Sequence, residues 1–87
     1  MSYSFELSSR LDKALQRLNR RDPVLHTYAQ KKIIEIVENP LSYKNLKSPL
    51  QHLRRIHLGS FVLTFSVDET KKSIFFRDLD HHDSIYR

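Results

Sequence analysis

The 87-residue chain carries 15 Lys/Arg against 10 Asp/Glu, a net charge of +5, with one glycine, three prolines and no cysteine. Without cysteine there is no disulfide scaffold, no thiolate zinc site and no thiol nucleophile, and the missing disulfides fit a reducing, cytoplasmic setting. A chain this short buries only about 60–65% of its unfolded surface, which excludes a large cofactor pocket, and no apolar run approaches the ~20 residues of a membrane span.

Residues 1–6 show no signal-peptide pattern. In residues 2–7, Tyr3, Phe5 and Leu7 alternate with Ser2, Ser4 and Glu6, the period of a strand. Ser8-Ser9 then supplies an N-cap, and Ser9 with Asp12 approximates a capping box. Leu11, Ala14, Leu15 and Leu18 follow at helical spacing, with Arg10, Lys13, Arg17 and Arg20 on the opposite face. Asp22-Pro23 restarts the chain as cap and first helical residue. Leu25, Tyr28, Ala29, Ile33, Ile36 and Val37 mark a second amphipathic helix, which Asn39-Pro40 stops. So short a junction predicts an antiparallel helical hairpin.

Residues 39–50 read as a linker. Beyond it, apolar-rich runs at residues 53–58 and 61–67 flank Gly59-Ser60, and glycine first in a two-residue loop suits a type II′ turn. That register pairs Leu58 with Phe61, Ile56 with Leu63 and Arg54 with Phe65 on an apolar face. It sets His57 beside Val62 and Arg55 beside Thr64 on the other face. Residues 68–72 are the next turn and residues 73–77 the last strand. With Ile74 and Phe76 inward, Phe75 and Arg77 join Arg55 and His57 on the open face. Residues 78–87 read as a polar tail. The expected fold is a single α+β domain over residues 1–87: an N-terminal strand, a two-helix antiparallel hairpin, then a three-stranded antiparallel meander, with the sheet packed on the helices.

The charge is uneven. Residues 44–57 hold Lys44, Lys47, Arg54 and Arg55 with no acid, and also His52 and His57. A basic segment of this kind is the usual footprint of phosphate binding, although a solvated surface stripe gives the same pattern. His81 and His82 lie between Asp80 and Asp83, but adjacent side chains on an extended chain point to opposite sides and hold one ion poorly. No metal or other cofactor is expected.

In this order of elements the chain resembles the RelE/ParE superfamily of toxins from type II toxin–antitoxin pairs. The resemblance rests on the helical hairpin after the first strand, the linker from Asn39-Pro40 through Lys44 and Lys47, and the hairpin from Leu53 to Phe65. The ending His81-His82-Asp83-Ser84-Ile85-Tyr86 completes it. The RelE-like branch cuts messenger RNA in the ribosomal A site, whereas ParE-like members inhibit DNA gyrase. The resemblance implies metal-independent cleavage, in which a ribose 2′-hydroxyl attacks its neighbouring phosphate. This chemistry needs a base, an acid and cations for the phosphate charge.

By this resemblance Arg55 and His57 occupy the two basic positions of the first hairpin strand. Arg55 would hold the phosphate. His57 could be acid or base, since histidine ordinarily titrates near pH ~6.5. His82, four residues before Tyr86, would take the complementary proton-transfer role, and Tyr86 would stack on an RNA base. Arg77 is a second phosphate contact. Lys44 and Lys47 would dock on ribosomal RNA through charge, with Arg54 and His81 as further RNA contacts. Val62 departs from the family pattern, because many members carry arginine there. That cation is missing, or Arg77 or Arg54 replaces it. A cognate antitoxin, forming a heteromeric complex, is the implied protein partner, and the ribosome with its mRNA is the implied target. The alternatives are a ParE-like gyrase inhibitor and a catalytically degenerate member that only pairs with its antitoxin.

Overall fold

A computed structural model describes residues 3–45 and 52–81. It contains β1 (Ser4–Leu7), α1 (Ser9–Arg21), α2 (Pro23–Glu38), a 3₁₀ turn (Pro40–Ser42), β2 (Arg54–Leu58), β3 (Phe61–Asp68) and β4 (Ser73–His81). The strands form one sheet in the order β1-β4-β3-β2. β1 runs parallel to β4, and the other neighbours are antiparallel. This is the expected α+β class, with the first strand completing a four-stranded sheet beside the meander. Among the described residues, no helix is long and apolar enough to cross a membrane.

The helices begin where the sequence places polar caps. The Ser8 side chain accepts the Leu11 N–H at 3.0 Å, and that of Asp22 accepts the Leu25 N–H at 3.1 Å. Asp12 does not complete a capping box with Ser9; its carboxylate accepts from Gln16 at 3.2 Å, one turn on. Leu11, Leu15 and Leu18 of α1 join Ala29, Ile33, Ile36 and Val37 of α2 over one face of the sheet. That face supplies Leu58, Leu63, Phe65, Ile74, Phe76 and Leu79, all less than 9% exposed. The rings of Phe65 and Phe76 lie with centroids 5.7 Å apart on the central strands, with neither accessible to solvent.

The β2–β3 hairpin has the register its turn dictates. Gly59 adopts φ +63°, and the pairs run from Leu58↔Phe61 to Arg54↔Phe65. β4 departs from the expectation. It does not end at residue 77; it continues to His81 through a register shift. Thr64 pairs with Asp78 but Phe65 pairs with Phe76, so Arg77 is the extra residue of a bulge. The inserted residue changes which positions face the helices. Ile74 and Phe76 point inward before it and Leu79 after it.

Ser8 holds this junction together. Its N–H donates to the Phe76 carbonyl at 2.9 Å, and its hydroxyl donates to the Arg77 carbonyl at 2.6 Å while capping α1. Exchanging serine for aspartate at an ordinary N-cap is nearly neutral. Here Ser8→Asp keeps the acceptor but sets a carboxylate against the Arg77 carbonyl. It is expected to cost about 1–2 kcal/mol, read as a lower urea midpoint at unchanged slope. An unchanged midpoint would show that the hydroxyl does not hold the bulge.

Candidate nucleic-acid interface

The sheet face turned away from the helices is organised in rows by strand pairing. One row reads His57, Val62, Asp80 and the next Arg55, Thr64, Asp78, from β2 across β3 to β4. Paired side chains share a face, so the two basic residues and the two carboxylates flank a middle strand. Two strand spacings separate β2 from β4, about 10 Å. Val62 is 0% exposed and Thr64 5%, although both lie outside the helix-facing core. His57 is exposed and Arg55 half-buried.

The bulge decides which β4 side chains reach this face. In an unbroken strand ending at residue 77, Arg77 would follow Phe75 outward. In the structure the position across Thr64 from Arg55 belongs to Asp78. Arg77 is exposed, and its guanidinium lies 5.9 Å from the Phe75 ring centroid. Residues 78–81, expected in a polar tail, are instead strand, and they bring Asp78 and Asp80 to the open face.

Both carboxylates meet Arg10, which the sequence places only on the polar face of the first helix. Arg10 Nε lies 3.4 Å from Asp78 Oδ1, and Nη2 lies 3.5 Å from Asp80 Oδ2. The contact is possible because β1 pairs only with residues 73–76 of β4, so the following residues border the start of α1. Arg10 is 72% exposed, so each ion pair contributes at most about 1 kcal/mol to stability. The pair spans some 70 residues of chain and left no local signal. The bulge did leave one: apolar residues at 74, 76 and 79 fit one face only with a residue inserted between the last two.

The remaining site residues are dispersed. Arg54 lies on the helix-facing side, as the hairpin register requires, and its guanidinium donates to the Tyr43 carbonyl. The Tyr43 ring packs edge-on against Phe65 at 5.9 Å, and Asn45 bridges to Arg54 through the backbone, so Arg54 fastens the linker to the sheet. Lys44 is exposed beside it. His81 pairs with Phe61, its ring stacked at 4.5 Å, and lies with it on the helix side. Lys47, His82 and Tyr86 lie outside the described residues. On α2, away from this face, Glu35 holds the Lys32 pKa above its ordinary value by a hydrogen bond and by its charge.

This arrangement can hold a polyanion along β2, where a guanidinium and an imidazole stand two residues apart on one face. It also limits that capacity, because two carboxylates stand across the middle strand.

No family model matches the chain. It is 48% identical over 86 residues to a Methanocaldococcus jannaschii protein named "Putative toxin RelE4", a match covering 98% of this chain and 92% of that one. It is 42% identical over 85 residues to an uncharacterized Methanosarcina mazei protein, covering 97% and 99%. Among solved structures it is similar to a chain of the RelBE2 toxin–antitoxin complex from Mycobacterium tuberculosis. That match has a TM-score of 0.79 at 17% identity and covers 94% of this chain and 100% of that one. A chain of the archaeal RelE–RelB complex from Pyrococcus horikoshii gives 0.72 at 19% identity, covering 93% and 96%. The fold is therefore that of RelE toxins, and the Methanocaldococcus jannaschii relative, 48% identical and matched along almost its whole length, shows that the chain belongs to the RelE family.

The placement of Arg54 makes its role testable. Removing a charged donor from a half-buried carbonyl costs about 1.5–3 kcal/mol. Arg54→Ala is expected to lose that much stability in urea denaturation. A loss below about 0.5 kcal/mol together with weakened RNA binding would instead assign Arg54 to the ligand.

Proposed function

We propose that the chain is the toxin of a type II toxin–antitoxin pair and cuts mRNA in the ribosomal A site. The observation that carries this reading is the placement of Arg55 and His57 on one face of edge strand β2, in a chain of the RelE family. Arg55 binds the scissile phosphate through its planar fork. The 2′-hydroxyl gives its proton to a base and attacks phosphorus. The P–O5′ bond breaks, and the departing 5′-oxygen takes a proton from an acid. The products are a 2′,3′-cyclic phosphate and a 5′-hydroxyl. His57 and His82 divide the two proton transfers, Tyr86 stacks on a base, Arg77 meets a neighbouring phosphate, and Lys44 and Lys47 dock on ribosomal RNA. Arg54 is engaged elsewhere, with the Tyr43 carbonyl, and the His81 ring stacks on that of Phe61.

Two of the solved relatives come from complexes with a partner chain, the RelBE2 toxin–antitoxin complex and the archaeal RelE–RelB complex. By analogy this toxin pairs with a cognate antitoxin that covers its basic face, and an acidic segment fits that charge. The working compartment is the cytoplasm, where ribosomes translate.

Val62, together with Asp78 and Asp80 across from the basic strand, favours a second reading, in which the chain binds its antitoxin without cutting RNA. Primer extension on mRNA from a translation reaction, with and without ribosomes, separates the two. Cuts are expected only with ribosomes. They are expected to slow by about 10²–10⁴-fold in His57→Ala and in His82→Ala. No cutting by the wild-type chain, with retained antitoxin binding, would establish the second reading.

A further inference from the structure

A cleft of about 200 Å³ opens beside the end of the sheet, between α1 and the last residues of β4. Its α1 wall carries Arg17 and Arg21, one helical turn apart and therefore on one face. The facing wall is the stacked pair Phe61 and His81, and Ala14 with buried Leu18 and Leu79 adds apolar lining. Both arginines are exposed and form no ion pair among the described residues. Asp80 also borders the cleft, but Arg10, which it shares with Asp78, holds its carboxylate at 3.5 Å and partly offsets its charge. Arg21 stands in the last turn of α1, where a cation offsets the helix dipole; Arg17, a turn earlier, lies outside that role.

Pockets that enclose a whole small molecule run to about 300–1,000 Å³. This cleft is smaller and open to one side, so it suits one unit of a polymer. Two guanidiniums match a phosphate, and a flat ring pair matches the π-face or edge of a base. An acidic peptide would satisfy the cations alone. The cleft lies on the helix side of the sheet, around the edge of β4 that β1 leaves uncovered beyond Phe76, where His81 follows Asp80 of the open-face row. We propose that this cleft takes a nucleotide of single-stranded RNA flanking the scissile bond, its phosphate on Arg17 and Arg21 and its base against His81 and Phe61. The proposal rests on the RNA-cleaving reading.

The test is a titration of the isotope-labelled full chain with a single-stranded RNA trinucleotide and with adenosine monophosphate, followed by NMR. Shifts are expected at the Arg17 and Arg21 Nε–H signals and at the His81 ring. The double variant Arg17→Ala, Arg21→Ala should bind the trinucleotide about tenfold more weakly and lose about 0.7 from the log–log salt slope, the share of the one phosphate they hold. Both side chains are exposed, and an unchanged melting midpoint confirms that the double variant folds. The proposal is overturned if the nucleotides move only the Arg55 and His57 signals, if the double variant binds like wild type, or if only an acidic peptide moves the cleft signals. Cleft shifts in a chain that cuts no mRNA would uphold the cleft and refute the nuclease. Ribosome-dependent cutting without cleft shifts would do the reverse.

Discussion

One hydroxyl ties together the parts of this fold that do not follow from simple periodicity. Ser8 accepts from the first turn of α1 and donates to the carbonyl of Arg77, the residue β4 carries in excess of its partner strand. A strand can bury only every second residue against the helices. The extra residue allows Ile74 and Phe76 on one side of it, and Leu79 on the other, to enter the same core. It also turns Asp78 and Asp80 onto the opposite face, where they meet Arg55 and His57 across β3. Core packing and the charge of the open face thus depend on the same local irregularity.

The electrostatic consequence is a face divided by strand. β2 contributes the cation and the histidine, and β4 contributes two carboxylates partly offset by Arg10. An RNA backbone would follow the β2 side and be repelled from the C-terminal end of β4. Beyond that edge the sign reverses again at Arg17 and Arg21. Charge arranged this way orients a polyanion more than it adds affinity.

Much of the architecture was legible in the sequence because local chemistry dictates it. Gly59-Ser60 set the hairpin turn, and with it the five pairs that place Arg55 and His57 together and Arg54 on the other side. Asp22-Pro23 set the start of α2, and Asn39-Pro40 its end. The first helix begins one residue earlier than a Ser9 cap would put it, because Ser8 is the residue with a second partner on β4. The length of β4 is not legible in this way, since residues 78–81 are polar at three of four positions and resemble a solvated tail. The contact of Arg10 with Asp78 and Asp80, and the cleft between α1 and β4, exist only once the chain ends of the sheet are brought together. No short window of sequence contains them.

The proton-transfer chemistry assigned to the open face is tested most directly by the ends of the RNA it produces. Mass spectrometry of the upstream fragments from ribosome-bound mRNA should find 2′,3′-cyclic phosphate termini with wild-type protein, and their loss with His57→Ala. Fragments ending in 3′-hydroxyls, or cyclic termini formed undiminished by His57→Ala, would contradict the assignment.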